Sequence, residues 1–171
     1  MDFDNIVTQI QGDQIDLGIS GFTYDEDRKV EWSEPYLGSA QVAVVPAGSD
    51  ITSIDQLAGK SIAAQTGATG EQAAKDAGGE VTGLKNVQDI MNALSANQYD
   101  AAVIDSGVAK SYAESGNFTV LDGVLMDEKN YIIAKEGNTD MIDLINKCIE
   151  AFIASDDYAK MCEEYGLTAV E

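Results

Sequence analysis

Short apolar runs alternate with amphipathic stretches along almost the whole chain, and that alternation leaves few architectures open. Phe3, Ile6, Val7 and Ile10 recur at helical spacing until Gly12-Asp13 breaks them, so the chain opens with a helix. Ile15, Leu17 and Ile19 then alternate with Asp16 and Gly18, a short buried strand ending near Ser20. Trp32, Pro35 and Tyr36 read as an irregular segment, and Gln41 to Val45, closed by Pro46, as a strand crossing between lobes. Further strands are expected at Ser61 to Ala64, Glu80 to Leu84, Ala101 to Ile104, Phe118 to Leu121 and Tyr131 to Ala134. Between them fall a short helix opened by Ser53 and Gln56 and ended by Gly59, a helix from Thr69 to Gly78-Gly79, one carrying Val87, Ile90, Met91 and Leu94, and one from about Val108 to Glu114. Thr139 caps a helix with the stripe Ile142, Ile145, Cys148, Ile149 and Phe152, and Ser155 caps a last one with Tyr158, Met161, Cys162 and Tyr165. Both stripes read as core surface. Strands alternating with helices imply an α/β fold with largely parallel sheets.

With 171 residues, 44% of them hydrophobic, the chain is long enough for a full core. Its 30 acidic residues against 10 basic ones give a net charge of −20, which repels nucleic acid and anionic lipid. No apolar run approaches the ~20 residues that span a bilayer. The N-terminus lacks the basic and apolar regions of a signal peptide, so the expected states are mature, truncated or cytoplasmic. Histidine is absent, which removes His-dependent nucleophilic catalysis, and Cys148 and Cys162 alone are too few ligands for a metal. The cysteines are expected as packed side chains, with a disulfide between neighbouring helices as the lesser alternative. No cofactor is expected.

Three strand ends carry polar groups. At the first, Ser20-Gly21-Phe22-Thr23-Tyr24-Asp25-Glu26-Asp27-Arg28, Thr23 and Glu26 have capping-box spacing, so the strand should feed a helix whose free N–H groups and Arg28 suit a carboxylate. The plainer alternative is a solvated turn with Arg28 paired to Asp25 or Asp27. At the second, Gln65-Thr66-Gly67-Ala68-Thr69-Gly70-Glu71-Gln72, Thr69 and Gln72 repeat the spacing after a Gly-rich turn that lacks the Gly-Lys-Ser/Thr of a phosphate loop. An ordinary tight βα connection explains it equally well. At the third, Asp105-Ser106-Gly107 closes a buried strand, where Asp105 either caps the next helix or faces a ligand. Ligands of open α/β sheets bind at the carboxyl ends of strands, and these groups suit a zwitterion: Arg28 and the helix starts for a carboxylate, Asp105 and Thr23 for an ammonium.

In order along the chain, Ser20-Gly21-Phe22-Thr23 with Arg28, then VEWSEPY from Val30 to Tyr36, QLAGKSIAAQTGATGE from Gln56 to Glu71, and YDAAVIDSGVA from Tyr99 to Ala109 resemble the polar amino-acid-binding proteins of ABC importers, solute-binding protein family 3. The resemblance covers nearly the whole chain. It implies the two-lobed type II periplasmic-binding-protein fold, with residues 1–45 and 132–171 as a first, incomplete lobe and 46–131 as the second, closing on an amino acid. It also implies that the Gly21 carbonyl, Thr23 and Asp105 hold the α-ammonium, that Arg28, the Thr23 N–H and the turn of Gly67 and Thr69 hold the α-carboxylate, and that Phe22 lines the cleft. Ala68 stands where the family often has a second hydroxyl. Family members begin some tens of residues earlier with elements that complete the first lobe, so a sheet edge and an apolar face should lie uncovered here, and a homodimer is expected to cover them. The implied partners are an amino acid and the importer's membrane subunits, and the implied location is periplasmic or extracellular. The competing expectation is an assembly protein that no longer binds. An enzyme fits least: dehydratases of aromatic precursors share the general fold, but a lone Asp105 supplies no acid–base pair.

Overall fold

A computed structural model describes residues 2–165 and 167–170. Its elements in order are α1 (Phe3–Gln11), β1 (Leu17–Phe22), β2 (Val30–Pro46), a 3₁₀ helix (Ile54–Leu57), β3 (Ser61–Gln65), α2 (Thr69–Asp76), β4 (Glu80–Leu84), α3 (Val87–Ser95), β5 (Ala101–Asp105), α4 (Ser106–Ala113), β6 (Phe118–Val120), β7 (Met126–Lys135), α5 (Thr139–Ile153) and α6 (Asp156–Tyr165). The chain divides into two compact units. One comprises Asn5–Ser39 and the chain from Glu128 onward; the other comprises Ala40–Asp127 with Asp2–Asp4. The chain passes from one to the other inside β2 and again at the start of β7.

In the 40–127 unit the strands run β6-β2-β5-β3-β4. β5, β3 and β4 are parallel, with Ile62 opposite Ala101 and Val81, while β2 and β6 add antiparallel strands at one side. The sheet is therefore mixed, with a parallel centre. Successive residues of each strand face opposite ways. Val42, Val44, Ala102 and Ile104 pack with Ile90, Met91 and Leu94 of α3 on one face. Ala43, Val45, Ala101 and Val103 pack with Leu57, Ala73 and Ala74 on the other. Covering both faces explains why β2 and β5 read as unbroken apolar runs rather than alternating ones.

In the other unit β1 pairs antiparallel with β7, Leu17 opposite Ala134 and Ile19 opposite Ile132, before an irregularity brings Phe22 opposite Tyr131. Ser33 Oγ on β2 accepts the Ile132 N–H at 2.9 Å. Tyr24, Trp32 and Tyr131 form an aromatic cluster with ring centroids 5.4 to 6.4 Å apart. The C-terminal segment returns to β2: Tyr158 Oη donates to the Tyr36 carbonyl at 3.1 Å and accepts the Val170 N–H at 2.9 Å, and Gly38 bridges Thr168.

Several local expectations are corrected. No helix follows Thr23; residues 23–29 form a loop, because Asp25 Oδ1 takes the Asp27 N–H at 3.0 Å and β2 already begins at Val30. Trp32, Pro35 and Tyr36 are not irregular but lie within the 17-residue β2. The helix after Ser53 is 3₁₀, with Gln56 Oε1 accepting the Ser53 N–H at 3.1 Å. Asn138, not Thr139, precedes α5 as its cap residue. On α5, Ile142 and Ile149 are buried, but Cys148 and Phe152 are exposed, so that stripe is only partly core. Both cysteines are free thiols, Cys162 buried and Cys148 exposed.

Candidate functional site

Each unit carries part of the expected residue set. In the β1–β7 unit, Phe22 ends β1 with no exposed surface. Gly21 before it is exposed, with room around its Cα for a side chain, so space does not demand glycine there. Thr23 follows at the loop's start. Its Oγ1 is buried and has no hydrogen-bond partner among the described residues. Buried hydroxyls are ordinarily satisfied, so a hydroxyl left over in this way is a place where a ligand group is accommodated at no cost to an existing bond. The loop then turns back through the Asp25 side chain and the Arg28 N–H to Asp25 carbonyl bond at 3.1 Å. The turn brings Arg28 over Phe22, its guanidinium carbon 5.6 Å from the ring centroid, a cation–π contact. Arg28 Nε also lies 4.0 Å from Asp25 Oδ2 at the margin of an ion pair, with the side chain 19% exposed. The ring covers one face of the guanidinium. Arg28 is therefore stacked on Phe22 and paired at the margin with Asp25, the pairing that the plainer alternative expects, in a loop rather than a helical turn.

In the 40–127 unit, Gly67 has φ +77° and turns the chain from β3 into α2. A side chain there would be strained, so the glycine is demanded by backbone conformation. The capping box expected of Thr69 and Gln72 does not form. Ala68 is the extended cap residue, Thr69 is the first helical residue, and Glu71 reaches back so that its Oε2 accepts the Gly67 N–H at 3.0 Å. Gly70 lets α2 start close to the sheet: a Cβ there would lie 3.0 Å from the Val103 carbonyl oxygen. Asp105 ends β5 and caps α4, its Oδ1 accepting the N–H groups of Gly107 at 2.9 Å and Val108 at 3.5 Å. The capping alternative for Asp105 is the one observed, two backbone donors fixing its carboxylate on the strand end. One unit thus carries Thr23 and Arg28, and the other carries the Gly67–Thr69 turn and Asp105.

Two residues escape a reading of the sequence. Glu128 and Asn130 lie on β7, 9% and 6% exposed, and the Asn130 Oδ1 has no hydrogen-bond partner among the described residues. Tyr131 to Ala134 is the only strongly apolar part of β7, so the strand is expected to start after them. Met126 is followed by four consecutive polar residues, so no polarity alternation extends the strand backwards in the sequence.

Comparison with known proteins fits this geometry. The family model for bacterial extracellular solute-binding proteins, family 3, matches residues 1–168. The arginine-binding extracellular protein ArtP of Bacillus subtilis is 26% identical over 175 residues, covering 96% of this chain and 68% of that protein. The probable histidine-binding protein of Neisseria gonorrhoeae is 26% identical, covering 95% of this chain and 65% of its own length. The chain thus spans about two thirds of these curated relatives. Among solved structures, an ancestral arginine-binding protein bound to arginine is 34% identical with a TM-score of 0.85, covering 96% of this chain and 77% of that one. The mixed α/β architecture is that of the type II periplasmic binding proteins, and the family is one of binding proteins rather than enzymes. The chain belongs to the bacterial extracellular solute-binding proteins, family 3.

Proposed function

We propose that this chain recognises a single free amino acid for ABC-type import, outside the cytoplasmic membrane, without transforming it. The two compact units correspond in this proposal to the family's two lobes. The observation that carries it is the Thr23 hydroxyl, buried with no partner among the described residues, five positions before an Arg28 guanidinium stacked on Phe22. Arg28 and the Thr23 N–H take the α-carboxylate together with the turn of Gly67 and Thr69, and Phe22 lines the site. The Gly21 carbonyl, the Thr23 hydroxyl and the helix-anchored Asp105 take the α-ammonium. Membrane subunits of an importer are the implied partner.

Calorimetric titration with the common amino acids tests this. Saturable binding is expected, and Arg28→Ala should lose about 1.5–3 kcal/mol of it, the worth of a hydrogen bond to a charged group. Unchanged affinity in Arg28→Ala would overturn the assignment. A second reading, an assembly protein that dimerises and does not bind, is favoured by one observation. β1 lies at the end of the strand order with β7 on one side, and its Ile19 is 63% exposed. Light scattering decides it: a dimer without amino-acid binding would support this second reading, and a monomer at micromolar concentration would remove it.

A further inference from the structure

A side-chain carboxylate holds the turn between β3 and α2. Glu71, the third residue of α2, turns its half-buried side chain back over the turn, and its Oε2 accepts the Gly67 N–H at 3.0 Å. Its own N–H donates to the Ala68 carbonyl at 3.2 Å, so one residue ties down two of the turn's backbone groups. The other oxygen, Oε1, lies beside Gly83 of β4: a Cβ on Gly83 would meet it at 2.7 Å and the Thr66 Oγ1 at 2.8 Å. Gly83 stands opposite Ala64 in the parallel β3–β4 pair and has no positive φ. What the position uses is therefore the missing side chain, not a special backbone conformation. Glycine inside a strand weakens it and marks a close approach of other groups, and here one of those groups is the Glu71 carboxylate. The turn held in this way is the one that leads into Thr69 at the start of α2.

We propose that Glu71 is a positioning residue for amino-acid binding and that Gly83 is the slot that admits it: the carboxylate, seated beside Gly83, holds the Gly67 turn in the conformation that presents Thr69 to the ligand's carboxylate. This rests on the amino-acid-binding function proposed above and adds to it two residues that act on the ligand only through the turn. The turn uses Glu71 as an acceptor rather than as a charge, since a negative charge near a carboxylate-binding turn does nothing to attract the ligand. A turn without that acceptor samples other conformations, and the apparent affinity falls with the fraction of molecules in which the turn is ready.

The test is calorimetric titration of the intact chain with L-arginine, L-histidine, L-glutamine and the other common amino acids, run beside urea unfolding. Glu71→Ala should weaken binding about three- to tenfold, because binding then has to order the turn as well. Glu71→Gln keeps an oxygen acceptor of the same reach and should stay within about threefold of wild type. Gly83→Ala should weaken binding as Glu71→Ala does while leaving stability at or above that of wild type, since its methyl displaces the end of a flexible side chain and alanine suits a strand no worse than glycine. Added to Glu71→Ala, it should change the affinity no further, because the carboxylate it displaces is gone. A purely structural role would lower stability and affinity together and would not make the effect of Gly83→Ala depend on Glu71. Should Glu71→Ala fail to fold, Glu71→Gln and Gly83→Ala still decide. Wild-type affinity in Glu71→Ala or Gly83→Ala, or additive losses in the double variant, would overturn the positioning role and leave amino-acid binding standing. A wild type that binds none of the common amino acids would overturn both.

Discussion

Gly70→Ala sets two effects of opposite sign against each other at the start of α2. Gly70 is the second residue of that helix, where replacing glycine by alanine ordinarily gains up to about 1 kcal/mol through lower backbone entropy in the unfolded chain. Against this, the new methyl would meet Gln41 Oε1 at 2.8 Å and the Val103 carbonyl oxygen at 3.0 Å. The Gln41 side chain is buried, and Val103 belongs to β5, which is held between β2 and β3. The Val103 carbonyl is fixed in the sheet, so α2 itself must shift. Overpacking of this kind costs about 1–3 kcal/mol, which exceeds the propensity gain. The net expectation is a loss of about 1–2 kcal/mol, or about 2–4 °C in Tm for each kcal/mol in a chain of this size. Thr69 precedes Gly70, so amino-acid binding should weaken in the same variant. Urea unfolding followed by far-ultraviolet circular dichroism measures the stability. A variant as stable as wild type, or more stable, would show that α2 is not seated against the Val103 carbonyl.

Two further predictions concern other parts of the fold. Tyr158→Phe removes the hydroxyl that joins Tyr36 and Val170, and should cost about 1–3 kcal/mol with faster amide exchange at Val170; unchanged exchange would refute it. Burial also raises the Tyr158 pKa above 10.0, so the stability from its neutral phenol is present below that pH and is lost as pH rises through the folded value, a loss that Tyr158→Phe should not show in alkaline melts. The Asp100 carboxylate accepts the Ser61 N–H and hydroxyl, each at 2.8 Å, which lowers its pKa below 3.8. Its contribution is therefore present above that pH and lost as pH falls through the folded value. Asp100→Ala should melt below wild type at pH 7, with the gap closing under strong acid; a gap that does not change with pH would refute the assignment.

The strands and helices were legible where burial imposes a period. β5 and α3 bury Ala101 to Ile104 and Ile90, Met91 and Leu94, and both stand close to where the sequence puts them. Side-chain oxygens that compete for the same backbone donor were not legible. The spacing of Thr23 to Glu26 is that of a cap, but Asp25 takes the Asp27 N–H first and turns the chain before a helix begins. At Thr69 the nearby Glu71 claims the Gly67 N–H, and the cap moves to Ala68. The length of β2 was hidden by Pro35, which ordinarily marks a strand boundary. Of the candidate site, Arg28 and Asp105 stand out by residue type at strand ends, whereas Glu128 and Asn130 read as surface, and only tertiary packing buries them.

The two crossings of the chain inside β2 and at the start of β7 also set an order of assembly. β1 cannot pair with β7 until Leu17 has found Ala134 across the whole intervening chain, a closure whose entropy cost grows with the length of the loop. All of the 40–127 unit except Asp2–Asp4 is the one continuous stretch Ala40–Asp127, which can form first, and it hydrogen-bonds its own ends, the Leu125 N–H to the Gln41 carbonyl at 2.9 Å. Once folded, it holds the start of β7 beside Gln41 in β2 and replaces a long flexible loop with a short fixed one. Ribosomal synthesis favours the same sequence of events, since residues 40–125 emerge before β7. The discontinuous unit, with Arg28 and Asn130, would thus be completed late.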